Sequence, residues 1–179
     1  MTPTEGTATW PTVLGVGIQM IGAAGEQSEI DGWCEAPDDG MRTIWERGHD
    51  VDTLRSNLSI EFDAVGLAVA EFANGGADSA GGSPGNLVLG DEQGGSISFE
   101  TMAFVAPLDV AHTAQVSAWL SGLNVEELVE AARAKDDLDG FSTADPEFIE
   151  AITNDFEALR DFYAAATATG RAVAWTIIA

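Results

Sequence analysis

Cysteine is nearly absent: Cys34 stands alone in 179 residues. That excludes an intrachain disulfide and a zinc site built on several thiolates. A reduced, cytoplasmic setting is the simplest expectation for such a chain. Positive charge is scarce as well, with 7 Lys plus Arg against 30 Asp plus Glu and a formal net charge of −23. Nucleic acid needs a basic track to replace its counterions, and no window supplies one. The same deficit disfavours anionic membrane surfaces. No apolar run approaches the roughly 20 residues that span a bilayer. The first 30 residues carry no lysine or arginine, so "TVLGVGIQMIG" lacks the basic flank of an export signal.

What remains is a chain long enough to bury one substantial core without covalent staples. Its acidity can serve solubility at high salt, repel unwanted partners, steer a cationic protein inward, or reflect a compositional bias of the source. Lys135 is the only lysine, and alanine and glycine are abundant, which fits the last of these.

Residues 1–12, rich in Thr and Pro, read as a loose leader, with a single α+β domain over 13–179. Val13 to Ile21 is β-branched and apolar with interspersed glycines, a buried strand by pattern. Gly15 and Gly17 do not make GxGxxG, and no GK[ST] follows. From Ser28 to Asn57 the periodicity predicts helical pieces broken at "APDDG", with Ile30, Trp33 and Cys34 at i, i+3, i+4. "IEFDAVGLAVAEFANGG" is long enough for a buried helix, stopped at Asn74-Gly75-Gly76. A Gly/Ser/Pro loop spans 75–86, "LVLG" forms a short strand, and "MAFVA" connects to the next helix.

The second half is better punctuated. A helix begins near Asp109 and closes near Gly122, with Val110, Thr113 or Ala114, Val116 and Leu120 down one side. Asn124 caps "VEELVEAARAK", with Glu127 at N3. Asp145 and Pro146 open a long helix whose stripe is Phe148, Ile152, Phe156, Leu159, Tyr163 and Ala166, and Gly170 suits its C′ position. In "GRAVAWTIIA", Val173, Trp175 and Ile177 alternate with Ala172, Ala174, Thr176 and Ile178. Both faces of this last segment are largely apolar, which predicts a terminal strand in the sheet interior rather than a frayed end.

The order "WLSGL", "EEL", a loop of acids and "DFEALRDFYAAATATGRAVAWTIIA" resembles the carboxy-terminal half of the YfbM-like family, bacterial domains of unknown function. The resemblance runs from about Leu87 to Ala179, and "NLVLGDEQGG" is similar to that family's loop before its first carboxy-terminal helix. "IQMIG" at Ile18 to Gly22 is similar to the family's opening strand, and "EFDAVGLAV" to its central helix. This sequence departs from the family at Gly66 and Leu67, where relatives often carry a histidine beside an aromatic. The resemblance implies a small cytoplasmic α+β domain, its helices packed on a mixed or antiparallel sheet that includes the terminal strand. It implies no reaction.

Candidate chemistry is sparse. His49 and His112 are the only histidines, no GxSxG occurs, and a Cys–His pair requires Cys34 to meet one of them in space. The reading preferred for these three is a small buried thiol and two surface imidazoles. "GHDVD" and "DDLDG" gather His49, Asp50, Asp52 and Asp136, Asp137, Asp139, but neither completes a calcium loop. The candidates for a desolvated pocket carboxylate are Glu61 and Asp63 in the central helix, or Asp91, Glu92 and Glu100 around the glycine-rich loop, with a structural role the preferred reading for each. Trp119 and Trp175 read as packing, and Trp10 has no obvious home. No cofactor is expected. The preferred function is a non-catalytic interaction module, of inhibitor or immunity type, for a basic protein. The alternative is a small-ligand binder or enzyme with a carboxylate and tryptophan pocket under the 75–100 loop.

Overall fold

The last seven described residues, Ala172–Ile178, are the middle strand of the sheet. The computed structural model describes residues 19–62, 84–90, 95–98, 103–133 and 146–178. Along the chain it has β1 (Gln19–Gly25), α1 (Gln27–Glu35), α2 (Pro37–Gly48), α3 (Val51–Arg55) and β2 (Ser59–Phe62). A 3₁₀ turn at Pro84–Leu87 follows, then β3 (Ser96–Ser98) and β4 (Ala103–Leu108). The remainder is α4 (Val110–Gly122), α5 (Val125–Arg133), α6 (Pro146–Ala168) and β5 (Ala172–Ile178). The five strands lie in the order β2-β1-β5-β4-β3, each pair antiparallel. The fold is α+β, in one domain, as the sequence predicts.

Local chemistry sets the element ends. Pro37 occupies the first turn of α2, where its missing N–H costs nothing. The Asp50 carboxylate caps α3 through the amides of Asp52 and Thr53, at 3.1 and 2.9 Å. Asp109 accepts from the His112 amide at 2.7 Å to start α4, and Asn124 accepts from the Glu126 amide at 2.9 Å to start α5. At the end of α6, Gly170 takes a left-handed φ of 64° while the Arg171 amide bonds Ala166 O at 2.9 Å. This is a Schellman closure, and it turns the chain straight into β5.

The alternation of strand side chains then divides the core in two. Met20, Ala24, Ala106, Leu108, Val173 and Trp175 face α4 and α6, against Val116, Leu120, Ile152, Phe156, Leu159 and Tyr163. Ile21, Ala23, Val105, Ala172 and Ala174 face α1 and α2, against Ile30, Trp33 and Ile44. Helices of the amino half thus cover one face and helices of the carboxy half the other. Both apolar faces of β5 are consumed, which is why the terminus is not frayed. Room for the Trp175 indole comes from Gly22, its register partner on β1: a Cβ there would lie 2.9 Å from the ring.

Trp175 Nε1 donates to the Tyr163 hydroxyl at 3.1 Å, and that hydroxyl donates to Val88 O at 2.5 Å. Every polar atom of this buried relay has a partner, and burial pushes the Tyr163 phenol well above its ordinary range.

Several expectations need correction. Of the opening strand expected from Val13 to Ile21, only the part from Gln19 lies within the described residues; there the strand continues to Gly25, its register set by pairing with β5. Glu61 and Phe62 belong to β2, not to a helix, since the segment supplies the sheet edge beside β1. "LVLG" is the end of a 3₁₀ turn and the turn after it, and "MAFVA" contributes to β4, the partner of β5. Val110 is 38 % exposed rather than part of the α4 stripe, whose buried members are Thr113, Val116 and Leu120. The leader, the loop at 75–83, Trp10, the "DDLDG" turn and the Asp145 cap lie outside the described residues.

Candidate functional site

The described surface includes two clefts lined by named side chains. The first lies where α1 passes the β4–α4 junction and has a volume of about 280 Å³. Gln27, Asp31 and Cys34 line it from α1, and Pro107, Leu108, Asp109 and His112 from the other side. The fold therefore brings Cys34 and His112 into one cleft, a meeting that the preferred reading of the sequence set aside. Their separation of 78 positions left no local signal for it.

The chemistry of this cleft is self-contained. His112 Nδ1 lies 3.0 Å from Asp109 Oδ1, the same oxygen that caps α4. Gln27 spans the junction, donating to Asp31 at 2.9 Å and accepting from the Val110 amide at 3.3 Å. Desolvation and then the Asp31 charge push the Cys34 thiol up. A nucleophilic cysteine needs the opposite environment, one that favours thiolate. The cleft has the residue types of a thiol–imidazole site without the electrostatics to activate it.

The second cleft runs between α5 and α6 and has a volume of about 360 Å³. Val125, Val129, Ile149 and Thr153 give it an apolar floor, and Glu126 and Glu130 stand exposed at its edge. The Thr153 hydroxyl is turned back to Ile149 O at 2.9 Å, so it does not make the floor polar. Arg160 fixes how α5 sits on α6: it lies over the Phe156 ring and donates to Leu123 O at 2.7 Å, just before α5 begins. Leu128, one turn after Val125, anchors α5 in the core, against which Val125 and Ile149 also pack. A signal for this cleft was present in the sequence, as Val125 and Val129 repeat at i, i+4 beside Glu126 and Glu130.

Of the carboxylates singled out from sequence, Glu61 lies on β2, 3.8 Å from His49 Nε2, and lines neither cleft. Asp63, Asp91, Glu92 and Glu100 lie outside the described residues. His49 stacks on the half-exposed Trp45 at 4.4 Å, and its Nδ1 is 2.8 Å from Trp45 O. Trp33 packs under the Arg47 guanidinium, Trp119 borders the larger core, and no tryptophan lines either cleft. Among the described residues, no three His, Cys, Asp or Glu side chains are grouped to hold a metal ion. No helix among them is long and apolar enough to cross a membrane.

No protein-family model and no curated relative matches the chain. Among solved structures it is similar to YfbM from Escherichia coli, a protein of unknown function, with 18% identity and a TM-score of 0.60. The likeness covers 90% of this chain and 99% of that one, so it extends well into the amino half, where the residues match thinly. The fold of this chain is therefore that of YfbM, as the helix and strand at its carboxy terminus imply.

Proposed function

We propose that the protein is a non-catalytic, acidic interaction module of the bacterial cytoplasm whose partner is a basic protein, in the manner of an inhibitor or immunity protein. The observation that carries this reading is the fate of the few cations. Arg42 pairs with Asp39, Arg47 with Glu29, Arg55 with Asp52 and Arg171 with Glu26, while Arg160 is spent on the Leu123 carbonyl. These five arginines are thus turned inward or onto neighbouring acids; Arg133's side chain and Lys135 lie outside what the structure describes. Exposed carboxylates such as Glu46, Glu126, Glu130, Glu150 and Glu157 dominate the surface that remains.

An uncompensated field of one sign attracts the opposite sign and accelerates encounter with it. The rival reading, a small-ligand binder or enzyme with carboxylates and tryptophans under the 75–100 loop, has less behind it. In the cleft that holds a thiol and an imidazole, burial and the Asp31 charge push the thiol up, against thiolate formation, and Asp31 and Asp109 are engaged by Gln27 and His112.

Capture from cells of the source organism on the immobilised protein, at low and at high salt, tests the proposal. A basic protein retained at low salt and released at high salt is the expected result. Recovery of no basic protein at low salt overturns it.

A further inference from the structure

The groove between α5 and α6 combines two features that recognition of a basic segment requires: an apolar floor and carboxylates at its edge. The floor is Val125, Val129 and Ile149, each only partly buried by the chain itself. Glu126 and Glu130 extend from the same helix one turn apart, so their charges line one side of the opening. Lysine and arginine side chains match this arrangement in one piece, because their aliphatic stems cover apolar surface while the charged head stays at the wet rim.

The chain is disfavoured by its own charge as the source of such an occupant. From Val125 to Glu150 it carries nine carboxylates against Arg133 and Lys135. The linker 134–145 between the two helices holds Asp136, Asp137, Asp139 and Asp145, of the same sign as the rim. Residues 1–18 contain no lysine or arginine at all, and a second copy would bring another formal −23. Charge complementarity therefore assigns the groove to a different protein.

We infer that the α5–α6 groove is the docking site for a lysine- or arginine-bearing amphipathic segment of a basic partner protein. The inference rests on the proposed function and locates it on the surface. Contacts with the floor exclude water from the rim pairs, which gives a specificity that scattered surface acids lack.

The test uses the full-length protein and a synthetic amphipathic peptide of leucine and lysine, followed by amide chemical shifts and by affinity. Shifts should concentrate on Val125–Glu130 and Ile149–Thr153. The double variant Glu126→Gln/Glu130→Gln, whose substitutions are exposed and isosteric, should bind about tenfold more weakly, the size expected when two rim charges contribute roughly 0.7 kcal/mol each. Val129→Ser should weaken the peptide but not oligolysine, which has no apolar face to lose. Glu35→Gln/Glu46→Gln, on α1 and α2, should leave affinity within about twofold.

Equal weakening by both pairs of substitutions, or shifts centred elsewhere, would overturn the groove assignment. It would leave the acidic-module reading to the capture experiment, so the two can fail separately. Shifts on 134–145 in place of the groove, or self-association of the free protein that the peptide relieves, would give the groove to the chain itself and also overturn the inference.

Discussion

The pocket filled by Trp175 and the groove between α5 and α6 are both lined by apolar side chains, yet they behave oppositely. Around Trp175, Tyr163 and Phe162 the space is closed, the rings meet edge to face, and each buried polar atom on the indole and phenol is bonded. Between α5 and α6 the apolar surface is open and bordered by charge. The first arrangement contributes stability and has no capacity left for a ligand. The second contributes little to stability, because its valines and isoleucine are already half in water, and its surface is available to a partner. Substitutions at the two places should therefore separate folding from binding.

The largest effect is expected at the closed site. Trp175→Ala should destabilise the fold by about 3–5 kcal/mol, the usual cost of emptying a fully buried aromatic position. Removal of Val173–Ala179 should abolish cooperative unfolding altogether, since β5 pairs with strands on both sides. Denaturant melts would show both, and a truncated chain that kept its transition would break the contrast. Tyr163→Phe should cost about 1–3 kcal/mol, because it leaves Val88 O and Trp175 Nε1 buried without their partner.

An intermediate effect belongs to pH. The Glu26 amide, together with the Arg47 guanidinium 2.6 Å away, holds the Glu29 carboxyl below its ordinary value of 4.5. The folded state then binds this proton less readily than the unfolded chain does. Its stabilisation is present above 4.5 and is lost as pH falls through the lower folded value. Repulsion among the other carboxylates acts in the opposite sense and eases as they protonate. Stability should rise from neutral pH toward the carboxylate range and then fall below it, and Glu29→Gln should flatten the falling limb. Chemical melts across pH measure this, and an unchanged acid limb in the variant would remove Glu29 from the account.

The smallest effect on stability is expected at the groove. Glu126→Gln/Glu130→Gln should shift the unfolding free energy by no more than about 0.5 kcal/mol, as befits exposed positions. A large loss would mean that these carboxylates hold the helices together.

The parts of the fold legible in the sequence are those where a local pattern and the global packing agree. The stripe on α6 from Ile152 to Ala166 is fully buried, and the two apolar faces of 172–176 are both covered. Gly170 and Asp109 announce a helix end and a helix start through their own chemistry. Segments misjudged were those whose state depends on a distant partner. Glu61 and Phe62 share a sequence with a helix-like run, but pairing with β1 makes them strand. Ala103–Leu108 looks like a connector until β5 is set beside it. The Cys34–His112 cleft was illegible for the same reason, being made by α1 meeting the start of α4 across the end of β4. The charge was plain from composition; the way the described arginines are spent on neighbouring acids and a carbonyl was not, because it depends on the fold.

The most direct test of the central claim, that rim carboxylates on an apolar groove receive a cationic segment, is the salt dependence of affinity for the leucine–lysine peptide in wild type and in Glu126→Gln/Glu130→Gln. Affinity of the wild type should fall steeply as salt rises, because the rim pairs are screened over a Debye length of about 8 Å at physiological ionic strength. The double variant should bind more weakly at low salt and with a clearly shallower slope, converging on the wild type at high salt, where only the apolar floor still acts. Parallel slopes for the two proteins would contradict the account, since the salt-sensitive contacts would then lie elsewhere on the surface.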